Sequence, residues 1–268
     1  FTADGGTIKL DGNYPVGTGN VALGDTALDS LTSGLRNTAL GDKAGTGITS
    51  GNGNIAIGDN TMTATLTGAD NVAVGTYSLN LNTSGTLNTA VGGSSLEGNT
   101  TGSNNTALGR QALRQNTTAS ENTAVGYQAA YANTTGYDNT AVGMTALASN
   151  TTGLRNSAFG KSALNANTTG LYNTAVGTYA LQANTTASNN TAVGYQAGYS
   201  NTTGDGLVFL GRSAGANSTG SANTGVGYYA MGNNTSGTDN VALGYLSLYN
   251  NTTASNNTAV GYQALYDN

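Results

Sequence analysis

Residues 122–136 read NTAVGYQAAYANTTG and residues 139–153 read NTAVGMTALASNTTG, the same phrase displaced by 17 positions. Working outward from this pair, the glycine after the N-T-A-V segment recurs at Gly24, Gly41, Gly58, Gly75, Gly92, Gly109, Gly126, Gly143, Gly160, Gly177, Gly194 and Gly211. The next step, to Gly227, is 16 residues, and Gly244 and Gly261 restore the spacing of 17. Residues 20–268 thus hold fifteen copies of N-[TV]-A-[VLI]-G-x-x-[AS]-L-x-x-N-T-T-G-x-x. Seventeen residues are too few for a helical hairpin repeat, and strong helix formers are scarce in the unit. The length suits one coil of a stacked β structure.

Within each copy, T-A-V alternates over a few residues as a short strand does. Gly on one side and N-T-T-G on the other supply residues that tolerate positive φ. The fold expected is all-β, a single parallel β-solenoid (β-roll or β-helix) of about 15 coils with a 17-residue period. With coils stacked at the ~4.8 Å strand spacing, it would make a rod of about 70 Å.

Composition fits such a stack. Only 8% of residues are charged, against roughly 25% in typical domains. In register, a charged column would repel itself, whereas Asn can form amide ladders and Thr can pack its methyl group. The chain has 41 Gly, one Pro (Pro15), and no Cys, His or Trp. Disulfides, thiolate sites and imidazole chemistry are therefore excluded. A net charge of −5 with eight dispersed Lys and Arg lacks the basic footprint of a nucleic-acid binder. No apolar run approaches the ~20 residues of a membrane-spanning helix. Glu97 and Glu121 are the only glutamates, lie in separate copies and form no evident catalytic pair, so an enzyme is not expected. No cofactor is expected either.

The two residues flanking the strand alanine (Val21, Thr38, Ile55 and Val72 before it; Leu23, Leu40, Ile57 and Val74 after it) are expected to face the core. They would meet Leu79, Leu96, Leu113, Leu147, Leu164, Leu181, Leu248 and Leu265 there. The Ala column would then form a smooth outer strip on which a second subunit could pack. Alternatively, Ala is simply small enough for a tightly curved coil.

Several positions are candidate sites. Asp25, Asp42 and Asp59 fall in one column on successive copies, where Ca²⁺ could relieve their repulsion. A solvated acidic corner beside Lys43 is the simpler reading. Asn99, Asn116, Asn133, Asn150, Asn167, Asn184, Asn201 and Asn251 each open an N-x-[ST] sequon, which the repeat itself generates. Tyr127, Tyr195, Tyr228, Tyr245 and Tyr262 share a column, with Tyr131, Tyr199, Tyr249 and Tyr266 four residues on, a pattern suited to a glycan or partner surface or, equally, to ordinary edge packing of corner side chains. Leu207 and Phe209 replace the usual Asn and Ala beside the shortened copy, marking either a contact patch or local repacking.

The N-[TS]-A-[VL]-G unit resembles the head repeats of trimeric autotransporter adhesins, which form left-handed parallel β-rolls. The longer form, at 122–136 and nearly so at 190–204, is similar to repeats of phage tail-fibre and bacterial surface-fibre proteins. The resemblance covers residues 20–268, although the period of 17 exceeds that of the adhesin heads. It implies an extracellular, cell-surface or virion-surface location and a fibrous or adhesive role.

Residues 1–19 do not follow the repeat, and the last copy stops after Ala264-Leu265-Tyr266. The leading segment is expected to cap the solenoid or to dock on the next subunit. Phe1, Ile8, Leu10 and Tyr14 would meet Leu265 and Tyr266 in a head-to-tail contact. The functional expectation is a self-associating structural subunit of an extracellular filament. The alternatives are a trimeric adhesin head or tail-fibre shaft binding a cell surface or glycan, and an ice-binding solenoid.

Overall fold

The structure is a computed structural model that describes residues 17–268. These residues form an all-β parallel β-solenoid with the 17-residue period of the sequence, and none of them is helical. They fall into two compact units, one ending at Thr135 and one beginning at Gly136. The first contains β1 (Val21–Leu23), β2 (Thr38–Leu40), β3 (Ile55–Ile57), β4 (Val72–Val74), β5 (Thr89–Val91), β6 (Thr106–Leu108) and β7 (Thr123–Val125). The second contains β8 (Thr140–Val142), β9 (Ser157–Phe159), β10 (Thr174–Val176), β11 (Thr191–Val193), β12 (Val208–Leu210), β13 (Thr224–Val226), β14 (Val241–Leu243) and β15 (Thr258–Val260).

Inside each unit every strand pairs in parallel with the next in the chain, and equivalent residues meet: Ala22 with Ala39, Ala158 with Ala175. The register shift therefore equals the sequence period. The ladder already includes Thr18, whose carbonyl accepts a hydrogen bond from the Arg36 N–H at 3.1 Å. Phe1, Ile8, Leu10 and Tyr14, the expected docking residues of the leading segment, lie outside the described residues.

Each strand is only three residues long because glycine ends it. At Gly143 φ is 137°, and a Cβ would lie 2.5 Å from the carbonyl oxygen of Gly160 in the next coil. Only glycine can turn the chain there while letting successive coils approach at strand spacing.

The expected inside and outside of the strand are reversed. The middle residue is buried in all fifteen strands, and its neighbours on both sides are exposed or half-exposed. Alanine is thus a core residue, while Val21, Leu23, Leu40 and Ile55 point outward. The coil is too narrow for two branched side chains from one wall. The strand contributes one methyl group, and the opposite wall fills the remaining volume with the [AS]-L pair, as with Ala146 and Leu147. Leu79, Leu96, Leu113, Leu147, Leu164, Leu181 and Leu248 are fully buried, as the sequence leads one to expect.

Placing leucine in that wall strains the backbone. Leu147 has φ 53° and Leu164 has φ 50°, both left-handed. A left-handed conformation costs an L-residue roughly 1–2 kcal/mol. Burying a leucine returns about 1.5–3 kcal/mol, so burial wins by a small margin in each coil. The Leu147 N–H also donates to the Ala163 carbonyl at 2.9 Å, which fixes the wall to its neighbour.

Two ladders of asparagine complete the interior. The asparagine that precedes most strands donates from Nδ2 to a glycine or alanine carbonyl of the following corner, as Asn37 does to Gly51 at 2.8 Å, Asn156 to Gly170 at 2.9 Å and Asn105 to Ala119 at 2.9 Å. Its Oδ1 accepts the backbone N–H of the equivalent asparagine in the next coil, as Asn156 Oδ1 does from Asn173 at 3.0 Å. The N-T-T corner holds the second ladder. Asn167 Nδ2 donates to Asn150 Oδ1 at 2.9 Å, and Asn184 Nδ2 donates to Asn167 Oδ1 at 2.8 Å. Apart from Asn251 Oδ1 at the last rung, the ladder pairs its amides in a place where an unpaired polar group would be costly.

Candidate assembly surface

Reversing the strand turns its outer face into the most extensive special surface of the protein. The first strand position carries mostly Thr with some Val or Ile, and the third carries Leu, Val, Ile or Phe. No charged residue occupies either column. Leu23, Leu40 and Leu108 in the first unit and Phe159, Val176, Val193, Leu210 and Leu243 in the second are all exposed members of the third-position column. In both units the result is a parallel sheet whose outer surface is a row of apolar side chains beside a row of hydroxyls and methyls. Parallel sheets are usually covered on both faces, and an uncharged apolar stripe of this regularity is the kind of surface that marks an interaction site.

The sites suggested by individual residues fare differently. Asp25, Asp42 and Asp59 are exposed. Asp42 pairs with Lys43 at 3.8 Å, and Asp59 accepts a hydrogen bond from Asn60 at 2.7 Å. Among the described residues no group of three or more carboxylates is placed to hold a metal ion. The three carboxylates stand exposed at a corner of successive coils, Asp42 beside Lys43.

The eight sequon residues Asn99, Asn116, Asn133, Asn150, Asn167, Asn184, Asn201 and Asn251 are fully buried. They belong to the corner ladder, where Nδ2 is the donating atom, as in Asn116 to Asn99 and Asn201 to Asn184, both at 2.9 Å. A glycan would have to replace that proton and leave through the packed wall. In the folded coil these side chains are enclosed and their Nδ2 atoms are taken up by the ladder.

Leu207 and Phe209 are also fully buried, which overturns the contact-patch reading. Phe209 takes the place of a core alanine, and glycines stand around it at Gly198, Gly215 and Gly225. A Cβ on Gly225 would lie 3.0 Å from the ring, and one on Gly198 would lie 3.2 Å from it. The nearby shortening falls in the corner. Ser218 accepts from Asn234 Nδ2 at 2.9 Å, so it occupies the asparagine column, and one threonine of N-T-T-G is missing after Thr219. Leu265 is 48% exposed, unlike its column neighbour Leu248, and Tyr266 is half-buried.

Charged residues form local stitches between coils. Arg114 donates to Glu97 at 2.7 Å and to the Tyr131 hydroxyl at 3.1 Å. Burial pushes the Glu97 carboxyl up, but hydrogen bonds from Arg114 and Ser94 and the Arg114 charge outweigh it, leaving the group below its ordinary value. Hydrogen bonds to Glu97 and Tyr131 hold the Arg114 guanidinium above its own. Beside this column lies a shallow groove of about 570 Å³ lined by Leu81, Glu97, Arg114, Thr117 and Thr134. Arg155 similarly bridges Asp138 at 3.3 Å and the Tyr172 hydroxyl at 2.9 Å. Sequence reasoning missed these stitches. Their signal was the 17-residue spacing of Glu97, Arg114 and Tyr131.

Comparison with protein-family models, with curated proteins and with solved structures gives no match. Among the described residues no helix is long and apolar enough to cross a membrane.

Proposed function

We propose that this chain is a structural subunit of an extracellular fibre, and that the outer face of its sheet packs on the same face of a second copy. The observation that carries this reading is the uncharged apolar column at the third strand position, exposed or half-exposed coil by coil in both units. A second copy is the occupant that fits. A surface modulated at the strand spacing of ~4.8 Å stays in register only with another that has the same step, and faces offset by whole coils carry the contact on from one chain to the next instead of closing as a dimer. Neither column carries a charge that would oppose such pairing. The resemblance of the repeat to adhesin heads and tail-fibre proteins supports an extracellular setting and includes closed trimers among the assemblies. Electron microscopy of the purified chain separates the two forms, with extended polymers supporting the fibre and discrete trimers supporting the adhesin. Leu108→Lys combined with Val193→Lys tests the face itself and should leave single chains.

A second reading gains from the reversed strand. Because Ala is inside, Thr and Val of T-A-V point outward together, as in β10 and β11, on a regular array. Alternating hydroxyls and methyls on a rigid lattice can hold ordered water, which is the requirement of an ice-binding face. Thermal hysteresis or inhibition of ice recrystallisation by the single-chain form would favour this reading over self-association, and its absence would remove it.

A further inference from the structure

Tyr228, Tyr245 and Tyr262 do not stand apart along their column but pack on one another. Tyr228 and Tyr245 stack with centroids 5.3 Å apart and planes 6° from parallel, and Tyr245 and Tyr262 stack at 5.2 Å and 5°. The faces of Tyr245 are thus taken by its two neighbours. The guanidinium of Arg212 lies 5.6 Å from the Tyr228 ring centroid. A second stack, Tyr249 on Tyr266 at 5.3 Å, is joined to the first through Tyr229, which meets Tyr228 edge-on at 4.7 Å and Tyr249 at 6.0 Å. The register of the solenoid explains the arrangement, since equal residues in one column must sit one strand spacing apart. Tyr228 and Tyr245 remain 38% and 44% exposed, so a diffusing oxidant can reach them.

We propose that Tyr228, Tyr245 and Tyr262 are a site of oxidative cross-linking, at which a peroxidase-type oxidant using hydrogen peroxide joins successive coils through dityrosine. Each of two phenols loses one electron to the oxidant and its hydroxyl proton to solvent. The two phenoxyl radicals then couple, forming one carbon–carbon bond between positions ortho to the oxygens. The two ortho hydrogens leave as protons while both oxygens are reprotonated, restoring the aromatic rings. The net loss is two electrons and two protons, which convert one hydrogen peroxide to two waters. The stack supplies what coupling normally lacks, a second ring already parallel and in contact. The product would be a covalent staple across 17 residues, fixing neighbouring coils without any cysteine. This inference is independent of how the chain assembles.

The test treats the full chain with peroxidase and hydrogen peroxide in dilute solution, digests it and maps the joined peptides by mass spectrometry. A neighbour held in place has an effective concentration on the order of millimolar or above, so at about 1 µM protein the stacked pairs should be favoured over links between molecules roughly 1000-fold. Tyr127 and Tyr172 are the internal controls, being 43% and 46% exposed without stacking on a tyrosine among the described residues. The expected result is that Tyr228–Tyr245 and Tyr245–Tyr262 links dominate, and that Tyr245→Phe, which keeps the ring but has no phenol, abolishes both. The inference is overturned if links involving Tyr127 or Tyr172 form as readily, if joined molecules prevail, or if no dityrosine forms in the stack.

Discussion

The ring of Phe209 fills the space that a Cβ on Gly215 would need: built there, that atom would overlap Cζ, Cε1 and Cε2 of the ring. In most other coils the equivalent positions are alanine in the strand and leucine in the opposite wall. One large side chain has crossed from one wall to the other, and total core volume is conserved.

Coupling follows between the two walls. Phe209→Ala alone should destabilise the chain by about 3–5 kcal/mol through the cavity it leaves. Gly215→Leu alone should also destabilise it, because the ring is in the way. Combined, the two changes restore the pattern of the other coils and should cost clearly less than their sum. Urea unfolding of the four proteins of the cycle measures this.

The glycine column should tolerate no side chain. In Gly143→Ala the backbone at φ 137° is strained and the new methyl meets the carbonyl of Gly160. Strain of this type costs on the order of 1–3 kcal/mol before the clash is counted. The substitution should lower the melting temperature well beyond a control such as Ser149→Ala, as circular dichroism on heating would show.

Breaking the corner ladder in one coil should be worse than replacing it over several. Asn167→Leu removes the ladder bond to Asn150 Oδ1 and one of the two acceptors of Asn184 Nδ2, which keeps only the Ala187 carbonyl at 3.0 Å. A buried polar group left unpaired costs about 1–3 kcal/mol. In the earliest coils the same interior region is filled by Leu31, Ile48 and Leu66, all buried, so an apolar run is acceptable where no asparagine adjoins it. Asn167→Leu should therefore destabilise more than Ile48→Val, for which about 0.5–1.5 kcal/mol is expected.

Acid should weaken the Glu97–Arg114 stitch. The folded carboxyl lies below the ordinary value of 4.5, so its contribution is present above that pH and lost as pH falls through the folded value. Glu97→Gln should be less stable than the parent near neutrality, and the difference should shrink as the pH falls below the ordinary carboxyl value. Both groups keep contact with solvent, so the effect is small, and melting temperatures across the pH range would register it.

The period, the glycine corners and the leucine wall were legible in the sequence because each depends on one residue type recurring at one spacing. The direction of the strand was not. In T-A-V, hydrophobicity counts two branched residues against one alanine, yet the narrow coil admits only the smaller side chain. The left-handed φ of Leu147 was equally hidden, since propensity argues against it and only the closed coil demands it. Sequon asparagines such as Asn167 look like surface turns until the stacking of coils shows that their amides pair along the axis.

The face that lies outside is what the proposed assembly depends on, and single cysteines test it directly because the chain has none. Val142→Cys places a thiol in the outer column, whereas Ala141→Cys places one in the core. If outer faces pack on one another, oxidation of the Val142→Cys protein should give disulfide-linked pairs of chains, while the Ala141→Cys and Lys161→Cys proteins remain unlinked. Single chains from all three, or equal linkage from Lys161→Cys, would contradict it.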